Sequence, residues 1–376
     1  MSLPVPRHVL EELESALSNM KCKPSNLPKK LETIEICDGE YRIYFDGNLC
    51  ILVKLPVAYK EGVIVDEGSI YGFFYTNSFS MFAGTFCKGS ETMPVLIGDG
   101  FYYIPCGEAL FHMMKAAQFK DWDSFKKIYY AATPRECKAA GNKVQNFVDA
   151  EWSQKAGGYM EEIARLKLQC PDVFTVFGLI AETADTHGIP KGNTYFYEST
   201  CNDKRYGTGL DINEMVQYVF KRDDAMQQAV EPITSVKLGG LCYPGENLLG
   251  NAVTKSFKLY LELADPDRSI EEMMAAYKTR YGKSFYETTL AEVVFDAKKK
   301  LKLEDLPMED MNMEGDDAIP IFSDVLPRTP TPTGEPARAG TPVDARSFSV
   351  RTLSEADHTC RTYSDGRSFS DGRSFS

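Results

Sequence analysis

Hydrophobic and polar positions along the chain change their period several times. "YRIYFDGNLCILVKL" (41–55) is two β-rich runs about an Asp-Gly, which predicts a hairpin. "MPVLIGDGFYYIP" (93–105) repeats that grammar. The period then becomes helical: "CGEALFHMMKAAQFKD" (106–121) carries apolar residues at 109, 110, 113, 114 and 117. "TPRECKAAG" (133–141) reads as a short helix with Thr133 as N-cap, Pro134 at the first position, Glu136 at the third and Gly141 as the stop. "DAEWSQKAGGYMEEIARLKLQC" (149–170) predicts a longer helix capped by Asp149 and ended by Pro171. An apolar helix over 171–183 and a short strand over 193–199 follow. Two further helices have capping boxes at Ser269–Glu272 and Thr289–Glu292, and the first of them stops at Gly282. The opening residues, "MSLPVPRHVLEELESALSNMK", read as a short amphipathic helix. Helices outnumber strands, and strands do not alternate with helices, so the expected class is α+β, predominantly helical, with a few short strands and hairpins.

The pattern fails near residue 304. "EDLPMEDMNMEGDD" (304–317) holds seven acids and no base. The chain then becomes rich in Pro, Thr, Ser and Arg and closes on the repeat "SDGRSFSDGRSFS". Too few apolar side chains occur here to offset the entropy of ordering, which predicts an acidic linker and a disordered tail over 304–376. Most of the net charge of −12 lies in that acidic run, leaving −5 for residues 1–303. Such a body lacks the broad basic surface that grips nucleic acid non-specifically. The 376 residues hold ten scattered cysteines, no Cys-x-x-Cys and four lone histidines. A reducing, intracellular compartment (cytoplasmic or nuclear) is expected, with no metal and no bound cofactor. No apolar run suits a membrane span or a signal peptide.

Candidate chemistry begins on the 106–121 helix. Glu108, His112 and Lys115 share one face at i, i+4 and i+7; by spacing alone they form a surface ion-pair ladder. Trp152, one of two tryptophans, taken alone is a core residue. "ESTCNDKRYGTGLD" (198–211) gathers acids, an Asn, a Lys-Arg pair, a Tyr and a Gly-x-Gly, and by composition is a solvated turn.

In order, the pieces "FYTNSFSMF" (74–82), "YIPCGEALFHMMKAAQF" (103–119), "DAEW" (149–152), "RLKLQCPDVFTVFGLIAET" (165–183), "YESTCNDKRYGTGLD" (197–211) and "NLLGNAV" (247–253) resemble the NADAR, or YbiA-like, domain. Three features depart from its pattern. Tyr206 stands where Trp is usual, about 35 residues are inserted between 212 and 246, and Phe257 stands near a position that is often Arg. The organisation expected is an N-terminal extension (1–73) packed on the core, a NADAR-like catalytic domain (74–257), a helical extension (258–303) and the tail (304–376).

The resemblance implies an N-glycosidase acting between a ribose and a nitrogenous base. Its substrate would be ADP-ribosylated guanine in nucleic acid or nucleoside, or a ribosylamino-pyrimidine phosphate of early riboflavin synthesis. It also implies site residues. Glu108 and Asp203 are the candidate carboxylate pair, and Lys115 or Lys167 is a phosphate-binding charge or a Schiff-base nucleophile. Phe82, Trp152, Glu198, Asn202, Tyr206, Gly207, Gly209 and Asn247 would contact substrate. Two other readings stay open: a non-catalytic module that binds ADP-ribose or NAD, and a scaffold whose tail docks a protein partner.

Overall fold

The computed structural model describes Glu11 and most of residues 30–290, leaving out 32–33, 37–38, 46–48, 59–63, 76–92, 98–99, 201–203, 229–237, 242 and 265–268. The chain divides into two units, Met1–Ile319 and Pro320–Ser376, and every described residue lies in the first. Apart from Glu11, which is helical, the expected N-terminal helix falls outside the described residues, as do the Thr289–Glu292 helix beyond Leu290 and the tail.

Nine strands are described. β1 (Ile34–Ile36), β2 (Tyr41–Phe45), β3 (Leu49–Lys54), β6 (Ser69–Phe74) and β9 (Thr194–Glu198) form one sheet in the order β1-β2-β3-β6-β9. β4 (Val57–Ala58) pairs with β5 (Ile64–Asp66), and β7 (Met93–Ile97) with β8 (Gly100–Ile104). Both expected hairpins are present. Pairing in the large sheet is antiparallel except between β6 and β9, which run parallel with Phe74 opposite Glu198. A parallel pair needs a crossover, and here the crossover carries the second hairpin and five helices.

Those helices are α1 (Gly107–Gln118), α2 (Trp122–Tyr129), α3 (Pro134–Gly141), α4 (Asp149–Leu166) and α5 (Pro171–His187). Beyond β9 come α6 (Ile212–Gln228), α7 (Leu248–Leu263) and α8 (Ile270–Tyr281). Thr133, Pro134 and Glu136 start α3 as their sequence predicts, and Ser269 with Glu272 forms the capping box of α8, which stops at Gly282. At α4 the cap is Val148 rather than Asp149, and no side chain bonds the first turn. Asp149 becomes the first helical residue, where its charge still meets the positive helix end. Pro171 opens α5 rather than simply closing α4, because its fixed φ suits a first position.

The central strands are buried on both faces. Leu49, Ile51 and Val53 of β3, Ile70 and Phe74 of β6, and Phe196 of β9 join the main core with α1, α4, α5 and α7. Alternate residues Cys50, Leu52, Tyr71, Phe73 and Tyr197 face a second core closed by Ile212, Met215, Val216, Val219 and Phe220 of α6. This is why "LCILVK" and "IYGFF" are continuous apolar runs rather than alternating ones. The inserted stretch thus begins with a helix that covers the back of the sheet. Phe257 is fully buried in a ring cluster with Phe177, Phe196 and Tyr260.

β9 is an edge strand whose free groups are bonded by side chains from the start of α7. Thr254 Oγ1 accepts from the Phe196 N–H at 2.9 Å. Asn247 Oδ1 accepts from the Glu198 N–H at 2.9 Å, and Asn247 Nδ2 donates to the Phe196 carbonyl at 3.1 Å. The C-terminal flank is also tied down. Leu96 N donates to Tyr286 O at 2.9 Å, and Arg165 of α4 donates to the carbonyls of Phe285 and Glu287.

Candidate active site

α1 supplies three polar side chains to one cavity because its apolar stripe (Ala109, Leu110, Met113, Met114, Ala117) faces the main core. Glu108, His112 and Lys115 lie beside that stripe and line the cavity together with Gly107 and Phe111. β9 contributes Glu198, two residues from Phe196 and so on the same, helix-covered face of the sheet. α4 contributes Trp152, Met160 and Ile163, α3 ends at the rim with Lys138 and Asn142, and Tyr206 and Leu249 close the far wall. The cavity volume is ≈ 170 Å³. That is below the ~300–1,000 Å³ usual for drug-sized ligands and fits one ring system rather than a whole dinucleotide.

Its aromatic wall is a box of three rings. Phe111 meets Trp152 edge-on at 5.0 Å between centroids and Tyr206 at 5.5 Å. The Trp152 indole N–H donates to the Tyr206 hydroxyl at 3.0 Å. The smaller ring at 206 brings a phenol oxygen that an indole lacks, and Trp152 uses it as an acceptor.

The polar wall is organised by α1 packing on α3. His112 Nε2 and Glu108 Oε1 lie 3.0 Å apart. In the tautomer with its proton on Nε2, the imidazole donates to this carboxyl oxygen. The ring is buried, and His112 Nδ1 has no hydrogen-bond partner among the described residues. It presses on Gly141, where an added Cβ would stand 2.1 Å from Nδ1. Lys115 Nζ donates to the Gly141 carbonyl at 3.0 Å and lies 4.0 Å from the Phe147 ring centroid. Burial lowers the pKa of Lys115 from 10.5, against the opposing charge of Asp149. Asp149 is itself held below the usual carboxylate range by a bidentate pair with Arg205 at 2.8 and 3.0 Å.

Of the 198–211 stretch, only 201–203 lie outside the described residues. Its carbonyls receive the segment entering α7. Gly245 N donates to Thr208 O at 2.7 Å, Asn247 N to Gly207 O at 3.0 Å and Leu249 N to Tyr206 O at 3.0 Å. Thr208 N and Oγ1 both donate to Glu198 O, at 2.9 and 3.1 Å. Gly209 takes φ +76°, a conformation that favours glycine.

Of the residues singled out in the sequence, Glu108, Lys115, Trp152, Glu198 and Tyr206 meet at this cavity. Lys167, Gly207, Gly209 and Asn247 are not among its lining residues. Lys167 is 1% exposed in the turn after α4. Asn247 spends its amide on the β9 edge, which gives it a positioning role for Glu198. Phe82, Asn202 and Asp203 lie outside the described residues. Sequence reading left His112, Lys138 and Asn142 without a role. The helical spacing of His112 from Glu108 was its only signal, and Lys138 and Asn142 gave none. Among the described residues no group of three or more His, Cys, Asp or Glu side chains is placed to hold a metal ion. Nor is any described helix long and apolar enough to cross a membrane.

Residues 73–256 match the NADAR domain family, and over that span the chain is a NADAR domain. The family is generally one of hydrolases. No curated protein matches the chain.

Proposed function

We propose that this NADAR domain is an N-glycosidase that hydrolyses the bond between ribose C1′ and a nitrogenous base, and that it removes ADP-ribose from guanine in a nucleoside or nucleic acid. The observation that carries this reading is the convergence of Glu108, Glu198 and Lys115 on one small cavity walled by Phe111, Trp152 and Tyr206. Cleavage of this bond builds positive charge on the ribose while the departing base needs a proton, so two carboxylates and a flat apolar slot are the required parts.

Glu198, fixed at the end of β9, stabilises the charge on C1′. Glu108, paired with His112, exchanges the proton with the base or with the attacking water. In direct hydrolysis Glu108 gives its proton to the base nitrogen as the C1′–N bond breaks, then takes a proton from the water whose oxygen bonds to C1′, and so regains its starting form. In the second, covalent route Lys115, less basic than an exposed lysine, attacks C1′ in place of water: the base leaves with the proton of Glu108, the ribose ring opens to a Schiff base, and water hydrolyses that imine to free the sugar and the amine. Asp203 remains proposed as a further carboxylate of the substrate loop.

The test is incubation with ADP-ribosylated guanosine and with a guanine-modified oligonucleotide, following free ADP-ribose by mass. Release that disappears in Glu108→Gln supports the reading. Binding of ADP-ribose without release from either substrate refutes it in favour of a binding module. Turnover of ribosylamino-pyrimidine phosphates alone would keep the glycosidase and replace its substrate.

A further inference from the structure

The last turns of α5 present two rows of side chains. Leu179, Thr183 and His187 stand four residues apart on the inner row, and Glu182 and Thr186 on the more exposed outer one. Arg42 of β2 faces the same space, standing opposite Glu35 of β1 and donating to its carboxylate at 2.8 Å. Helix and strand enclose a cavity of ≈ 630 Å³, with Lys30 and Leu31 on a third side. That volume is in the range of ligand pockets, ~300–1,000 Å³. The cavity shares no lining residue with the active-site cavity. Lys30, Leu31 and Arg42 also precede the residues that match the NADAR family, so part of its wall comes from outside that match.

We propose that this cavity is a second binding site, for a sugar phosphate: Arg42, His187 and Lys30 hold the phosphate, and Thr183, Thr186 and Glu182 accept from the sugar hydroxyls.

Donors and acceptors are divided across the cavity. Arg42 gives only one N–H to Glu35, and its side chain stays 29% exposed. Among the described residues Lys30 and His187 make no hydrogen bond or ion pair, so their N–H groups face the cavity without an acceptor. Burial first, and then the Arg42 charge, lower the His187 pKa, because each group lies in the other's field. A phosphate entering beside them relieves that repulsion. Its three terminal oxygens point in different directions, which suits donors arriving from a strand, a helix and the segment before β1; a carboxylate offers two oxygens in one plane. The helix supplies the opposite chemistry. The Thr183 and Thr186 hydroxyl protons go to the carbonyls of Leu179 and Glu182, at 2.7 and 2.8 Å, so their oxygens are left to accept. The Glu182 carboxylate repels a phosphate, which turns the anion towards Arg42 and the hydroxyls outward. The negative end of α5 would oppose an anion, but its carbonyls are taken: Ala184 O accepts from Ile189 N at 2.9 Å and Asp185 O from Gly188 N at 3.2 Å. Leu31 and Leu179 give the C–H face of a sugar an apolar floor.

The test uses the full chain and no glycosidase substrate, so its result stands apart from the function proposed above. One histidine lines each cavity, His187 here and His112 in the active site, and the chain has four in all. Protein carrying a carbon-13 label at histidine Cε1 is titrated with ribose 5-phosphate, ribose and inorganic phosphate, and the His187 signal is assigned by its loss in His187→Gln. The expected result is a saturable shift of the His187 signal by ribose 5-phosphate, with affinity about tenfold or more above that for ribose or inorganic phosphate. Arg42→Gln should weaken this binding about tenfold. Lys30→Gln, at an exposed position, should weaken it too and serves where Arg42→Gln disturbs the sheet. A His187 signal unmoved by millimolar ribose 5-phosphate, a shift at His112 alone, or affinity no higher than for inorganic phosphate would overturn the proposal. So would unchanged binding in both variants.

Discussion

Trp152 and Tyr206, 54 positions apart in sequence, are joined by an indole N–H to phenol bond of 3.0 Å. It ties α4 to the loop after β9 and makes one wall of the cavity from two distant segments. Tyr206→Phe keeps the ring and strands a buried donor, at a cost of about 1–3 kcal/mol. Chemical denaturation of Tyr206→Phe, Trp152→Phe and the double variant checks this. Single losses that simply add would show that the bond contributes nothing.

Glu108 and His112 are the second close pair. Glu108→Gln should lower kcat on the proposed substrate by roughly 10²–10⁴-fold, the range for a lost general acid–base group, with the thermal midpoint held near wild type. His112→Gln, which can still donate to the carboxylate, should retain more activity than His112→Leu. Equal activity in the two would remove the hydrogen bond from the mechanism.

Lys115 has its pKa lowered by burial, so its free amine becomes available at a lower pH than 10.5. Turnover that depends on that amine rises with pH through the lowered value. Lys115→Arg, which stays protonated, should abolish borohydride trapping of substrate. Linkage gives the same group a stability signature. The folded state binds the proton less tightly than the unfolded chain, so the burial penalty is full below the folded pKa. It fades as pH rises from there to the unfolded value. Trapping that survives in Lys115→Arg would exclude Lys115 as the nucleophile.

At Gly141 two effects compete. Alanine is a better helix former by about 1 kcal/mol. Against this, its Cβ would stand 2.1 Å from His112 Nδ1, and overpacking of that kind costs roughly 1–3 kcal/mol. Gly141→Ala is expected to be destabilised and to lose activity as His112→Leu does, because the ring must leave Glu108. Wild-type stability and kinetics in this variant would mean that the α1–α3 seam yields freely.

Asp121 caps α2 through Ser124 N at 3.0 Å and holds the 142–148 loop through Gln145 N at 2.8 Å. Burial raises its pKa, but these donors outweigh burial and leave it below 3.8. Its charged form therefore stabilises the fold above the unfolded value, and that contribution is lost as pH falls through the folded one. Asp121→Ala should cost about 0.5–2 kcal/mol at pH 7, as lost caps do. Thermal melts should show the gap to wild type narrowing below about pH 4. A gap independent of pH would place the effect in packing rather than charge.

Local grammar determined what is local. The Asp-Gly hairpin, Thr133–Pro134–Glu136 at α3 and the Ser269–Glu272 box are legible because each is settled by bonds within a few residues. The order of short motifs from 74 to 253 was likewise enough to identify the NADAR domain, and helical spacing put Glu108, His112 and Lys115 on one face. What stayed hidden was whatever depends on neighbours far along the chain. β6 and α6 were not read as elements, since a strand buried on both faces has no alternation and α6 declares its role only against the sheet it covers. The pairing of β6 with β9 across five helices leaves no trace in either strand. That the Asn247 amide bonds an edge strand fifty residues upstream was equally unreadable from its neighbours. The face of α1 looked like a solvated ladder until α3 packed against it through a glycine, buried His112 and made Lys115 share its charge with a carbonyl and a ring. Sequence chose the side chains and their helical face; tertiary packing decided how much water each keeps, burying His112 and leaving Glu108 and Lys115 half-buried, with desolvation lowering the pKa of Lys115.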